Sequence, residues 1–213
     1  MINDVQFKVC GLTSVPDAEA AARSGADYLG FNLYPKSPRH LSLAQYQSLA
    51  PALPQKKRVA ILVEPADREL IQAVDAGFDF FQIHFRHDTP PERLAAWSRA
   101  AGKNRLFLAP KLPPSVAVAP EWTRLADFIM LDTFDPEVFG GTGRTGDWGK
   151  FARIREAHPE VQWMLSGGLN PANVAEAVRL SGARLVDVNS GVESAPGVKD
   201  HAKLSALAAA LHS

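Results

Sequence analysis

Eight short apolar segments recur along the chain, and most are followed by a segment with the apolar spacing of a helix. We predict strands at residues 7–10, 28–32, 59–63, 80–84, 106–109, 128–131, 163–166 and 185–188. This alternation is typical of a parallel sheet whose strands are joined by helices. It allows either an open, doubly wound sheet or a closed barrel.

The number of strand–helix units favours the closed form, because (β/α)8 barrels close on eight strands. A length of 213 residues suits one such barrel, and no linker or low-complexity stretch divides the chain. We therefore predict an α/β fold, a single-domain (β/α)8 TIM barrel spanning residues 1–213. Pro113, Pro114 and Pro120 fall in the fifth crossover and predict a fifth helix that is short or degenerate.

One face of the predicted strands is polar, although side chains that point into a barrel are buried. Residues two apart on a strand share a face. The polar face carries Lys8, Cys10, Asn32, Gln82, His84, Asp132, Ser166, Asp187 and Asn189. Each could singly be a satisfied core group, but together they are costly to bury without partners or a ligand. Most lie at the carboxyl ends of the strands, where barrels carry their active sites.

Two adjacent loops, "LSGGLNPANV" and "VDVNSGVESAPG", predict an anion site. They follow the seventh and eighth strands and contain Gly167, Gly168, Asn189, Ser190 and Gly191. Glycine lets backbone N–H groups approach a phosphate, and the helix predicted to begin at residues 170–171 adds a favourable dipole. In barrels this pair of loops is a frequent phosphate site.

Two other loops carry candidate binding residues. "FGGTGRTGDW", after the sixth strand, is long and rich in glycine, which is typical of a lid or binding loop, and we place Gly141 and Gly143 near the phosphate. "YPKSPR", after the second strand, ends in Arg39. An arginine fixed between prolines at the rim is a candidate to hold a substrate carboxylate by two parallel bonds.

Charge and cysteine content exclude several classes of protein. Lysine plus arginine and aspartate plus glutamate both number 23, so no basic field exists to recruit nucleic acid or an anionic membrane. One cysteine forbids an internal disulfide and fits a reducing compartment. The first residues lack the pattern of a signal peptide and no later stretch approaches a membrane span, so we expect a cytoplasmic protein with a small-molecule partner.

The motifs "KVCGLT", "YPKSPR", "LD" followed by "GGTGRTGDW", "SGGLNPANV" and "VDVNSGVESAPGVKD" resemble those of the phosphoribosylanthranilate isomerases of tryptophan biosynthesis. They occur in the family's order from Lys8 to Asp200. The resemblance implies a (β/α)8 barrel that rearranges N-(5-phosphoribosyl)anthranilate to 1-(2-carboxyphenylamino)-1-deoxyribulose 5-phosphate. It implies no cofactor and no metal, and it leaves a monomer and a homodimer equally open.

The resemblance also implies residue roles. Cys10 corresponds to the general base, Asp132 to the general acid and Arg39 to the residue that holds the anthranilate carboxylate. A free thiol, with a pKa of about 8.5, is a poor base at neutral pH, and we expect Lys8 to favour its thiolate. The predicted substrate-binding residues are Lys8, Arg39, His84, Gly141, Gly143, Gly167, Gly168, Asn189, Ser190 and Gly191.

Three positions depart from the family pattern. Phe85 stands where a glycine is usual after "QIH", Asn189 replaces a serine, and Asn32 replaces an apolar residue. We expect Phe85 either to narrow the anthranilate pocket at its rim or to alter the affinity for substrate. None of the three is the proposed acid or base.

Two rival functions fit the same fold. The first is another phosphosugar enzyme, an indole-3-glycerol-phosphate synthase or a ribulose-phosphate epimerase. The synthase needs lysine and glutamate pairs at strand ends and the epimerase needs metal ligands, and neither set is evident. The second is a barrel that binds phosphosugars without turning them over, for which loss of Cys10 or Asp132 would be the mark.

Overall fold

The computed structural model describes residues 5–113, 115–132 and 147–212. Eight parallel strands follow one another in sequence order and close into a barrel, with the eighth hydrogen-bonded to the first. The strands are β1 (Gln6–Val9), β2 (Tyr28–Asn32), β3 (Lys57–Val63), β4 (Phe80–Arg86), β5 (Leu106–Lys111), β6 (Phe128–Leu131), β7 (Gln162–Leu165) and β8 (Leu185–Val188). The predicted barrel is confirmed.

Helices surround the barrel. They are α1 (Val15–Arg23), α2 (Leu43–Leu49), α3 (Asp67–Asp75), α4 (Pro91–Ala101), α5 (Pro120–Leu125), α6 (Trp148–Ala157), α7 (Val174–Ser181) and α8 (His201–His212). The fifth helix has only six residues, as its prolines predict. No helix in the three described ranges is long and apolar enough to cross a membrane.

Helix ends follow from local side-chain chemistry. Ser14, Ser42 and Asp147 each accept a hydrogen bond from a backbone N–H of the first turn of α1, α2 and α6. The helix after β7 begins at Val174 rather than at residues 170–171, so that prediction is wrong. Asn170 Oδ1 instead accepts the N–H of Ala172, which builds a turn ahead of the helix.

The barrel interior changes character along its axis. At the amino-terminal end, Tyr28, Phe80, Phe107 and Phe128 pack edge to face or tilted, with ring centroids 4.4–5.9 Å apart. The Lys57 ammonium lies 4.8 Å from the Tyr28 ring centre. Apolar packing therefore fills this end, and the inward polar side chains are left to the carboxyl end.

A short hairpin and the last helix complete the ring of elements. Strands β9 (Glu193–Ala195) and β10 (Val198–Lys199) pair antiparallel between β8 and α8. Asp17 of α1 accepts the backbone N–H of Lys199 at 3.1 Å and contacts His201 at 2.9 Å. Through Asp17, the first helix is hydrogen-bonded to the end of the hairpin and the start of α8.

Candidate active site

A cavity of about 440 Å³ opens at the carboxyl end of the barrel. Its wall contains eight of the nine inward polar residues predicted from the sequence: Cys10, Asn32, Gln82, His84, Asp132, Ser166, Asp187 and Asn189. It also contains Arg39 and the four loop residues Gly167, Gly168, Ser190 and Gly191. One cavity therefore brings together the proposed general base, the proposed general acid, the arginine proposed to bind the carboxylate and the proposed phosphate loops. Gly141 and Gly143 lie outside the described residues.

Lys8 is the exception, because it lies beneath the cavity wall. Its side chain is fully buried, and its ammonium lies 2.5 Å from the carboxylate of Asp187 on the neighbouring strand. Ser166 donates to the other oxygen of Asp187 at 3.3 Å. Gly30 makes room for the lysine stem, since a Cβ there would lie 3.0 Å from it. The geometry does not support the predicted contact between Lys8 and substrate.

Cys10 is buried, with 5% of its surface exposed. Burial raises the pKa of its thiol, because a thiolate is poorly solvated there. Lys8 opposes this effect, but Asp187 adds to it, and the net direction is upward. Lys8 thus acts in the predicted direction without making the thiol acidic overall.

Gln82 and His84 form a pair on the inner face of β4. Gln82 Nε2 and His84 Nε2 are 2.8 Å apart, and Gln82 Oε1 is buried without a partner among the described residues. Burial, assisted by the positive charge of Lys8, lowers the pKa of His84 to about 3. The imidazole is therefore neutral at neutral pH and serves the site as a hydrogen-bonding group.

Arg39 reaches the cavity from the loop after β2, and Glu193 holds it. Nε lies 2.9 and 3.1 Å from the two carboxylate oxygens of Glu193, and Nη2 lies 2.7 Å from one of them. The Arg39 stem passes over Gly11, where a Cβ would lie 2.5 Å from Arg39 Cδ. The contact with Glu193 raises the pKa of the guanidinium further, so Arg39 is cationic throughout the working range.

Glu193 and Lys199 do not line the cavity but contact Arg39 and Asn189, which do, and the sequence predictions missed them. The Lys199 ammonium has no exposed surface and lies 2.8 Å from Glu193 and 3.0 Å from Asn189 Oδ1. Both residues lie in the motif "VESAPGVKD". A charge of each sign within a seven-residue hairpin is the one signal that could have drawn attention to them.

The two predicted phosphate loops are in close contact. A Cβ on Gly191 would lie 2.0 Å from the carbonyl oxygen of Leu169, so only glycine fits here without moving the backbone. Gly167 and Gly168 both have positive φ, at 98° and 63°. The Gly168 carbonyl accepts from the Asn173 side chain at 3.0 Å, which holds the loop against the start of α7.

Phe85 does not narrow the cavity, and that prediction is wrong. Strand β4 runs two residues further than predicted, so alternation turns His84 inward and Phe85 outward. Phe85 is fully buried and packs edge to face on Trp97 and Trp122 of α4 and α5, at 6.1 and 5.6 Å between ring centres. Asn32 does face the cavity, where its Oδ1 accepts the N–H of Tyr34.

Within the described ranges, no cluster of three or more histidine, cysteine, aspartate or glutamate side chains is placed to hold a metal ion. The cavity wall presents a thiol, two carboxyl groups, an arginine and glycine-rich loops.

The family model "N-(5'phosphoribosyl)anthranilate (PRA) isomerase" matches residues 7–210. The chain belongs to this family. A relative from Cereibacter sphaeroides, named N-(5'-phosphoribosyl)anthranilate isomerase, is 42% identical over 95% of this chain and 96% of its own. The match confirms the family resemblance and favours an isomerase over the synthase and the epimerase.

Solved structures agree with this assignment. Phosphoribosyl anthranilate isomerase from Thermus thermophilus superposes with a TM-score of 0.82 at 31% identity, covering 98% of both chains. A second isomerase structure, in complex with reduced 1-(o-carboxyphenylamino)-1-deoxyribulose 5-phosphate, has a TM-score of 0.76 at 29% identity over 98% of both chains.

Proposed function

We propose that this family member rearranges N-(5'-phosphoribosyl)anthranilate to 1-(2-carboxyphenylamino)-1-deoxyribulose 5-phosphate in tryptophan biosynthesis, with Cys10 as general base and Asp132 as general acid. The observation that carries the assignment of roles is that both side chains line one cavity together with Arg39 and the glycine loops. The reaction is an internal redox exchange between two sugar carbons, so it requires no cofactor.

The first step opens the furanose ring. Asp132 gives its proton to the ring oxygen, the bond from that oxygen to C1 breaks, and the anilino nitrogen supplies the electron pair that forms the iminium ion. The carboxyl group must be protonated at that moment, as for any general acid. Asp132 lies directly after β6, where it can approach a substrate from the rim.

The second step moves a carbon-bound proton. The iminium ion acidifies C2, the Cys10 thiolate takes the proton from it, and the C2–H electron pair forms the enolamine. Tautomerisation then gives the ketone at C2 and a methylene group at C1. Because burial raises the pKa of the thiol, the thiolate that this step needs is disfavoured at neutral pH.

Binding is divided between the two ends of the substrate. We assign the phosphate to the backbone around Gly167, Gly168, Ser190 and Gly191, and the anthranilate carboxylate to Arg39. Ile61, Val63 and Met130 give the cavity an apolar wall that suits an aromatic ring. His84 and Asn189 offer neutral hydrogen-bonding groups to the rest of the substrate.

Turnover of freshly prepared substrate by the wild type tests the function. We expect Cys10→Ser and Asp132→Asn each to lower kcat by about 10²- to 10⁴-fold, because each loses one proton transfer. Both variants should keep their circular dichroism spectrum. They should also bind the reduced product analogue, because its phosphate and carboxylate contacts remain. A folded Cys10→Ser variant with wild-type kcat would remove the thiol from the mechanism, and a wild type that binds the analogue without turnover would support a binding module.

Further parts of the proposal concern the whole chain. We propose that residues 1–213 form one domain in the cytoplasm, as a monomer or a homodimer, with a small-molecule substrate and no nucleic-acid or membrane partner. The support is the closed barrel, the zero net charge and the single cysteine. Sedimentation at several protein concentrations separates monomer from dimer.

A further inference from the structure

Glu193 is buried beside the cavity and binds three groups, one on the loop after β2 and two in its own hairpin. Its carboxylate contacts the Arg39 guanidinium, the Lys199 ammonium at 2.8 Å and the backbone N–H of Gly197 at 3.2 Å. Only 5% of its side chain is exposed. A carboxylate enclosed in this way has a fixed orientation, and its hydrogen bonds fix the positions of the groups it binds.

The contact with Glu193 uses one particular edge of Arg39. A guanidinium has five N–H donors in a rigid plane. Glu193 occupies the edge formed by Nε and Nη2. The edge formed by Nη1 and the second Nη2 hydrogen can still make two parallel bonds to a carboxylate. Arg39 can therefore bind Glu193 and a ligand carboxylate at once, and the first contact fixes where the second can form.

The charges nearby are matched to a ligand carboxylate. Arg39 and Lys199 are two cations facing one anion, Glu193, so the cluster carries one surplus positive charge. The negative charge of a bound carboxylate would neutralise this surplus positive charge. Lys199 also contacts Asn189, directly before Ser190 and Gly191 of the proposed phosphate loop, so Glu193 is connected to both ends of the cavity.

We propose that Glu193 is a positioning residue that selects which edge of Arg39 faces the substrate, so that the anthranilate carboxylate is bound by the Nη1–Nη2 edge. The proposal rests on the assignment of Arg39 to that carboxylate. Glu193 itself touches no reacting atom. The effect that passes through Arg39 is specific for ligands that carry the carboxylate.

Binding of two ligands to matched variants tests the proposal. The ligands are the reduced product analogue and its counterpart without the carboxylate, measured by calorimetry on wild type, Glu193→Gln, Arg39→Ala and the double variant. Glu193→Gln preserves the shape of the side chain and removes its charge. We expect it to weaken the carboxylated ligand by about 10-fold and the other ligand by less than about 2-fold. Glu92→Gln, on the exposed start of α4, is the matched control and should behave as wild type.

The double variant separates positioning from a general structural role. If Glu193 acts through Arg39, adding Glu193→Gln to Arg39→Ala should cost less than about 2-fold for either ligand. In turnover, Glu193→Gln alone should raise KM and leave kcat near wild type, because uniform binding is lost. If Glu193→Gln does not fold, Glu193→Asp keeps the charge at shorter reach. It should give a smaller loss confined to the same ligand.

Each contrary result has a distinct meaning. If Glu193→Gln weakens the binding of both ligands equally, or of neither, the positioning role is overturned. It is also overturned if Glu193→Gln causes the same loss of affinity in the Arg39→Ala background as in the wild type. If Arg39→Ala itself does not distinguish the two ligands, the assignment of Arg39 fails and the positioning role fails with it. Turnover by the wild type is independent of both results.

Discussion

At the scale of single residues, the environment of Cys10 combines effects of opposite sign. Burial and Asp187 raise the pKa of the thiol, whereas Lys8 lowers it. Lys8 is itself held by Asp187, so two buried charges that nearly cancel lie under the proposed base. Lys8, which does not line the cavity, can change the reactivity of the thiol from beneath the wall, whereas Asp187 is itself part of that wall.

Removing the negative member of this pair should make the thiol more acidic. We expect Asp187→Asn to lower the pKa of Cys10, because the repulsion of the thiolate is lost while the lysine charge remains. Cys10 is the only cysteine, so the ultraviolet absorbance as a function of pH reports on its thiolate once the contribution of the three tyrosines is subtracted. Cys10→Ser supplies the baseline, and Asp75→Asn, on the exposed end of α3, is the control. A midpoint at or above the wild-type value would contradict this account.

At the scale of secondary-structure elements, alternation along the strands explains both the success and the failures of the sequence predictions. It correctly placed His84 and Gln82 inside the barrel and Val9, Ile83 and Val186 against the helices. Phe85 was misplaced because the end of β4 was set too early, and strand ends are decided by pairing with β5, which no local pattern contains. Alternation predicts which face a side chain occupies only within the strand, so the prediction fails where the end of the strand is set wrongly.

Contacts between side chains far apart in sequence were also beyond prediction. Glu193 meets Arg39 across 154 positions of sequence, and Asp187 meets Lys8 across 179. Composition and periodicity report on neighbours in sequence, so they place Asp187 on the inner face of its strand without indicating its partner, and they do not single out Glu193. The catalytic candidates were found because the family motif names them.

Strand β4 carries a histidine whose protonation opposes folding. The pKa of His84 is about 3 in the folded chain, against an ordinary value of 6.5. Between these values the unfolded chain binds a proton that the folded chain rejects, so stability falls as pH drops from about 6.5 towards 3. The limiting slope for one proton is about 1.4 kcal/mol per pH unit. Urea unfolding across this range should show a shallower pH dependence for His84→Gln, and an unchanged slope would contradict the burial argument. His87→Gln, an exposed neighbour, is the control.

The contact between the two phosphate loops depends on Gly191. We expect Gly191→Ala to raise KM by about 10- to 100-fold, because its Cβ would lie 2.0 Å from a backbone oxygen and must displace one loop. Gly77→Ala is the control for an added methyl group that meets no neighbouring atom: its φ of 82° is unfavourable for alanine, but the space around it is open and it does not line the cavity. That variant should lose stability with unchanged KM. Equal KM values for the two variants would remove the loop contact from substrate binding.

At the scale of the whole molecule, closure joins the beginning of the chain to its end. Strand β1 pairs with β8 over four positions, and Asp17 connects α1 to the hairpin and α8. The same hairpin supplies Glu193 and Lys199, which contact the cavity residues Arg39 and Asn189. The hairpin therefore contributes both to the stability of the closed barrel and to the geometry of the site. Asp17 contacts this hairpin from α1.

Asp17→Ala should consequently weaken the fold more than an ordinary surface change. It leaves the Lys199 N–H without its acceptor and removes the partner of His201, and we expect a loss of about 1–3 kcal/mol in the free energy of unfolding. Asp88→Ala also removes an aspartate from an ion pair, with Arg86, but that pair is exposed and its loss should be small. Denaturant unfolding of both variants makes the comparison. Equal losses would mean that Asp17 is an ordinary surface group, whereas a larger loss for Asp17→Ala would show that it stabilises the closed barrel.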